Sequence, residues 1–100
     1  MNTEQKPDYL FVIKDGDDLV KFGHSKHPFR RLKELQKGNY RELHLIFYVI
    51  GDLAINLSTI KDIKEKFDGN KVVNSRDWFK VTPELVDETI RIIGTRLDWR

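Results

Sequence analysis

Between Val20 and Gln36 the chain reads VKFGHSKHPFRRLKELQ, and this stretch holds most of its chemistry. His24 and His27 can exchange a proton near neutral pH. Lys21, Lys26, Arg30 and Arg31 can hold an anion, the arginines with paired donors that match phosphate oxygens. Gly23 has no Cβ, so a ligand or a second chain can come close to its backbone. Packing alone does not ask for a glycine, two histidines and two adjacent arginines at one strand-to-helix junction. Gly23, Lys21, Lys26, Arg30, Arg31 and His24 are therefore the candidates for a site at this junction, although a solvated basic face and a strand-ending glycine would also account for them.

Periodicity shows which elements must position these residues. Tyr9 to Ile13 is a short apolar run rich in β-formers, Lys14 to Asp18 is turn chemistry with Gly16 free to take positive φ, and Leu19 to Phe22 resumes the strand. These predict a β-hairpin. Pro28 suits a first helical position, Phe29, Leu32, Leu35 and Gln36 follow at helical spacing, and Gly38 supplies a stop, so a helix is expected over 28–37. Arg30, Lys33, Glu34 and Lys37 fall on its outer surface. Leu43 to Ile50 is apolar apart from His44, a pattern expected of a central strand buried on both faces. A second helix is expected over 53–67, with Leu53, Leu57, Ile60, Ile63 and Phe67 as its apolar stripe. Trp78 to Val81 reads as a short strand or extended segment. Thr82-Pro83-Glu84 opens a third helix, expected to bury Leu85, Ile90 and Ile93 and to stop at Gly94 near 83–93. The expected fold is a small α+β domain with a three-stranded antiparallel sheet flanked by helices.

Composition narrows the classes. One hundred residues, 39% hydrophobic and 34% charged, make one globular domain over 1–100, with Met1 to Asp8 expected as a flexible leader. A net charge of +2 is mild for a nucleic-acid binder. With no cysteine, disulfides and thiolate metal sites are excluded. There is no apolar stretch of signal-peptide or membrane-span type, which fits an intracellular protein, cytoplasmic or in a eukaryotic host nuclear, with no membrane partner.

Taken in order, Tyr9-Leu10-Phe11-Val12-Ile13, Val20-Lys21-Phe22-Gly23-His24-Ser25, Arg31-Leu32-Lys33-Glu34-Leu35, Phe67 and Asp77-Trp78-Phe79 resemble the GIY-YIG endonuclease superfamily. The similarity is to its compact branch, common in phages and large DNA viruses, and runs from Tyr9 to Val81. The expected C-terminal helix lies outside it. The resemblance implies hydrolysis of a DNA phosphodiester: hairpin tyrosines help activate water, an arginine on the first helix neutralises the phosphate, and a glutamate on the second helix holds one divalent metal. A fixed guanidinium lowers the energy of a charged phosphoryl transition state, and a metal adds Lewis acidity.

Carried over residue by residue, Arg31 falls on the family arginine and Gly23 on the family glycine, with Arg30 about 100° away around the helix. His24 stands where this branch has a tyrosine and could serve as a base. Phe11 falls on the first-strand tyrosine and lacks its hydroxyl; Tyr9 shares its strand face but lies about 6–7 Å along the strand. Ile60, seven residues before Phe67, falls on the metal-binding glutamate and offers no oxygen ligand. Asp62 and Glu65 lie about 200° and 140° around the helix from it. His27 reads as a helix-flanking residue, His44 as structural, Asp77 as structural, Trp78 and Phe79 as core, and Trp99 as a surface or fold-back residue. The leading expectation is a domain with impaired catalysis that binds nucleic acid, DNA above all, with no metal ligand assigned. One alternative is an active endonuclease using His24 as base with Mg²⁺ or Mn²⁺. Another is a protein-binding regulator or decoy that keeps only the scaffold.

Overall fold

The computed structural model describes residues 7–73 and 77–97. The leader expected at the start, apart from Pro7 and Asp8, and Trp99 lie outside the described residues. Asp8 is not part of a leader: it opens the first strand and is buried.

β1 (Asp8–Asp15) and β2 (Leu19–Ser25) form the expected hairpin, paired from Tyr9 opposite Ser25 to Asp15 opposite Leu19. Gly16 takes φ +67 in the turn, a conformation that side chains rarely adopt. Arg41 closes over this turn, with its Nε 2.8 Å from Asp15 Oδ1. α1 (Pro28–Lys37) has proline in its first turn and ends at Gly38, whose N–H returns to Leu35. The Gln36 side chain then locks the following loop, donating to the Arg41 carbonyl at 2.8 Å and accepting from Leu43 N at 2.8 Å. β3 (Leu43–Gly51) follows. α2 (Leu53–Lys66) starts at Asp52, whose Oδ1 accepts from Ala54 N at 2.7 Å. A 3₁₀ turn over Asp68–Asn70 leads towards β4 (Trp78–Lys80). α3 (Pro83–Arg96) is capped by the Thr82 hydroxyl, which accepts from Leu85 N at 3.1 Å.

Among the described residues the sheet has four antiparallel strands in the order β3-β1-β2-β4, where three were expected. The fourth is Trp78–Lys80, which pairs with Leu19 to Lys21 for only three residues. β3 is not the central strand. It is an edge strand, and Ile46, Tyr48 and Ile50 are about half exposed. The inner strands are β1 and β2, and β1, paired along its length on both sides, buries Leu10, Phe11, Val12 and Ile13. Both strands are near-continuous apolar runs, and such a run does not itself reveal its place in a sheet.

Two helix stripes also differ from expectation. On α2, Leu53 and Leu57 are exposed, and the buried face is Asn56, Thr59, Ile60 and Ile63. On α3, Ile90 is half exposed, the buried residues are Leu85, Thr89, Ile92 and Ile93, and the helix continues through Gly94 to Arg96. On α2 the inward Thr59 is satisfied within the helix, its hydroxyl donating to the Ile55 carbonyl at 2.7 Å.

Candidate nucleic-acid interface

Strand alternation divides the candidate residues between the two faces of the sheet. Tyr9, Phe11 and Ile13 on β1 pair with Ser25, Gly23 and Lys21 on β2, so these six share one face. This face meets α1: Phe11, Ile13 and Leu43 are buried there with Leu32, Leu35, Leu45 and Trp78 packed against them. Leu10 and Val12 pair with His24 and Phe22 and look the other way, towards α2 and α3.

Gly23 belongs to the α1 face, and its role there is visible. The Phe11 ring lies across it, so that a Cβ on Gly23 would stand 2.6 Å from Phe11 Cζ. The glycine admits the ring. Phe11 itself is buried and carries no polar atom. On α1, Pro28, Leu32 and Leu35 form the inward stripe, and Phe29 and Arg31 flank it on opposite sides at 100° per residue. Phe29 meets Tyr48 of β3, with ring centroids 5.2 Å apart. Arg31 therefore borders the β2 side, which carries Gly23, Ser25 and Lys21. Among the described residues its guanidinium pairs with the exposed Glu34 at 3.3 Å, an i,i+3 pair worth little in water. Other N–H donors of its five remain for an anion. Arg30 is exposed and turned away from the sheet. Lys21 is committed elsewhere: its Nζ lies 3.0 Å from Asp77 Oδ2 and 5.9 Å from the Trp78 ring centroid, with its side chain only 12% exposed.

His24 projects from the opposite face. Its Nδ1 lies 3.4 Å from Asp8 Oδ1, a long contact. Asp8 Oδ2 accepts from Asn56 Nδ2 at 2.8 Å, and both Asp8 and Asn56 are buried. Gly51 makes room for this group, because a Cβ there would stand 2.6 Å from Asn56 Oδ1. Beside it lies an open cleft of about 630 Å³ bordered by Asp8, Lys26, Ile50, Gly51 and Asp52. Lys26 thus belongs to the rim near Asp8, beyond the end of β2. His27 precedes α1 as a flanking residue, and its N–H donates to Ser25 Oγ at 3.0 Å. His44 is exposed on the edge strand rather than buried as a structural residue.

A divalent metal does not fit the position that the resemblance would give it. Ile60 is 7% exposed and stands in one cluster with Ile63, Phe67 and Phe79. A hard cation needs oxygen ligands, anionic ones above all, and the isoleucine side chain offers none; the buried face of α2 carries no carboxylate. Among the described residues no three His, Asp or Glu side chains gather in a way that could share a metal.

Asp8 and Asn56 were missed in the sequence, as were the exposed rings of Phe29 and Tyr48. Asn56 had a signal: it precedes Ile60 by one turn and Ile63 by two, an amide in line with apolar residues at helical spacing. No family model, curated relative or solved structure matches this chain.

Proposed function

We propose that this chain is a GIY-YIG-like domain that binds nucleic acid, DNA first, through the α1 face and has little or no cleavage activity. The observation that carries this reading is the separation of Arg31 from His24. Arg31 borders the sheet face that holds Gly23 and, among the described residues, pairs only with the exposed Glu34, while His24 stands on the other face beside Asp8. A phosphate held at Arg31 would therefore lie across the sheet from His24, the residue that falls on the family's tyrosine position. Phe11 and Ile60 support the same reading, since a buried all-carbon ring and an apolar helix face stand where a hydroxyl and a carboxylate would be needed.

A second reading has one observation in its favour. Asp8 beside His24 Nδ1 could orient the ring as a base, as a nuclease using His24 would require.

The test combines binding and nicking. With labelled duplex DNA, affinity falls steeply as salt rises, as counterion release requires. Arg31→Ala weakens binding roughly tenfold and flattens the salt slope by about one. Supercoiled plasmid remains uncut with Mg²⁺ or Mn²⁺. Metal-dependent nicking that is lost in both Arg31→Ala and His24→Ala would establish the second reading. Absence of any binding at low salt would favour a protein partner.

A further inference from the structure

The α1 face carries a group of rings that the phosphate contacts do not use. Tyr48 stands between Tyr9, at 6.0 Å between centroids and 63° between planes, and Phe29, at 5.2 Å and 75°. Phe29 is 57% and Tyr48 47% exposed, and Ile50, the strand partner of Tyr9, extends the patch. An exposed apolar patch of this kind marks an interaction surface. It lies on β3, at the edge of the sheet, so no further strand among the described residues flanks it.

Charge indicates what the surface receives. From Lys26 to Lys37 the sequence has five basic residues and one acid, a net charge of +4, while the rest of the chain has 13 basic and 15 acidic residues, net −2. The mild overall charge thus conceals a concentrated positive strip on and just before α1. Lys33 is one turn beyond Phe29 on the same side of the helix, and Lys26, Arg30, Lys33 and Lys37 are all exposed.

We propose that Tyr9, Phe29 and Tyr48 form a stacking platform for the bases of a single-stranded nucleic acid whose phosphates follow the basic strip of α1. This rests on the nucleic-acid reading and specifies its substrate class. A duplex keeps its bases stacked on one another and offers the protein mainly phosphates. Exposed aromatic rings gain energy only from a base whose π-face is free, and a positively charged track beside them holds the backbone.

The experiment is fluorescence anisotropy on the full chain, with a labelled mixed-sequence single strand and a hairpin duplex of matched length, at several salt concentrations. The single strand binds at least tenfold tighter. Phe29→Ser and Tyr48→Ser each weaken single-strand binding by about 5- to 100-fold with the salt slope unchanged, because they remove stacking and no charge. Tyr48→Phe retains the affinity, since the ring face remains. Lys33→Ala lowers the slope by about one. Both serine substitutions replace exposed rings, and thermal melts of the two variants check that they fold. Equal affinity for the two nucleic acids, or serine variants that bind the single strand like the wild type, would overturn the platform while leaving the duplex-binding reading intact. If neither nucleic acid binds at low salt, both readings fail.

Discussion

Among the described residues, the sheet face under α2 and α3 gathers thirteen buried apolar residues into one cluster, while the face under α1 buries three. α1 contributes only Pro28 as a buried residue, and its Leu32 and Leu35 remain half buried. The first face is closed by two fourteen-residue helices, the second by one helix of ten. Burial scales with stabilisation, so the α2/α3 face holds the fold. The α1 face can therefore leave rings and guanidinium groups in water. Binding surfaces are commonly drawn from the less buried part of a molecule, where side chains are not committed to the core.

The sharpest way to break this comparison is to damage each face equally and compare the cost. Ile63 is fully buried on α2, and Ile63→Ala is expected to lower stability by about 3 kcal/mol through lost burial and the cavity it leaves. Phe29→Ala removes a larger side chain from the α1 face but costs about 1 kcal/mol or less, chiefly its edge contact with Tyr48. Guanidinium unfolding measures both. Equal losses would mean that the faces share the load.

A middle-sized effect tests whether Gly23 serves packing or a ligand. Gly23→Ala drives a methyl group into the Phe11 ring, where Cζ and Cε1 would lie 2.6 and 2.8 Å away. Overpacking of this kind costs about 1–3 kcal/mol. The cost should shrink in a Phe11→Leu background, which a double-mutant cycle by chemical denaturation reads directly. If Gly23→Ala leaves stability unchanged yet abolishes nucleic-acid binding, the glycine is reserved for the ligand instead.

Much of the scaffold was legible in the sequence, and the part that was not has physical reasons. The hairpin, α1 and the start of α3 were readable because turn and cap residues act locally: Gly16, Pro28 and Thr82 need only their neighbours. The place of β3 was not readable, because Tyr9–Ile13 and Leu43–Ile50 are both apolar runs and only long-range pairing decides which lies inside. β4 was legible as a short strand or extended segment over 78–81, but its pairing with β2, which makes a fourth strand, was not, because three paired residues carry no pattern that names a partner. For the candidate site, the sequence brought Gly23, His24 and Arg31 together by proximity in the chain. A strand sends successive residues to opposite faces, so nearness in sequence did not become nearness in space. Asp8 and Asn56 meet across 48 positions, and a separation of that length leaves no local trace. The rings of Phe29 and Tyr48 read as core because nothing in the sequence tells an exposed aromatic from a buried one.

The smallest expected effect concerns how the closed face is tied at its rim. Glu88 on α3 pairs with Arg91 on its own helix and with Lys66 at the end of α2. Hydrogen bonds from Arg91 and then Lys66 hold its carboxyl at about 2, below the ordinary 4.5. The folded protein therefore releases this proton more readily than the unfolded chain does. The contribution is fully present above about 4.5, and it is lost as pH falls through the window between 4.5 and 2. The pair lies at the surface, where screening keeps such contributions small. Glu88→Gln should cost little at neutral pH and less still in high salt, and wild type and variant should converge in thermal melts run from pH 5 down to about pH 2. A difference that persists at the acid end would mean that Glu88 acts through packing of its stem rather than through its charge. The rim of the closed face would then owe its cohesion to the same burial as its centre.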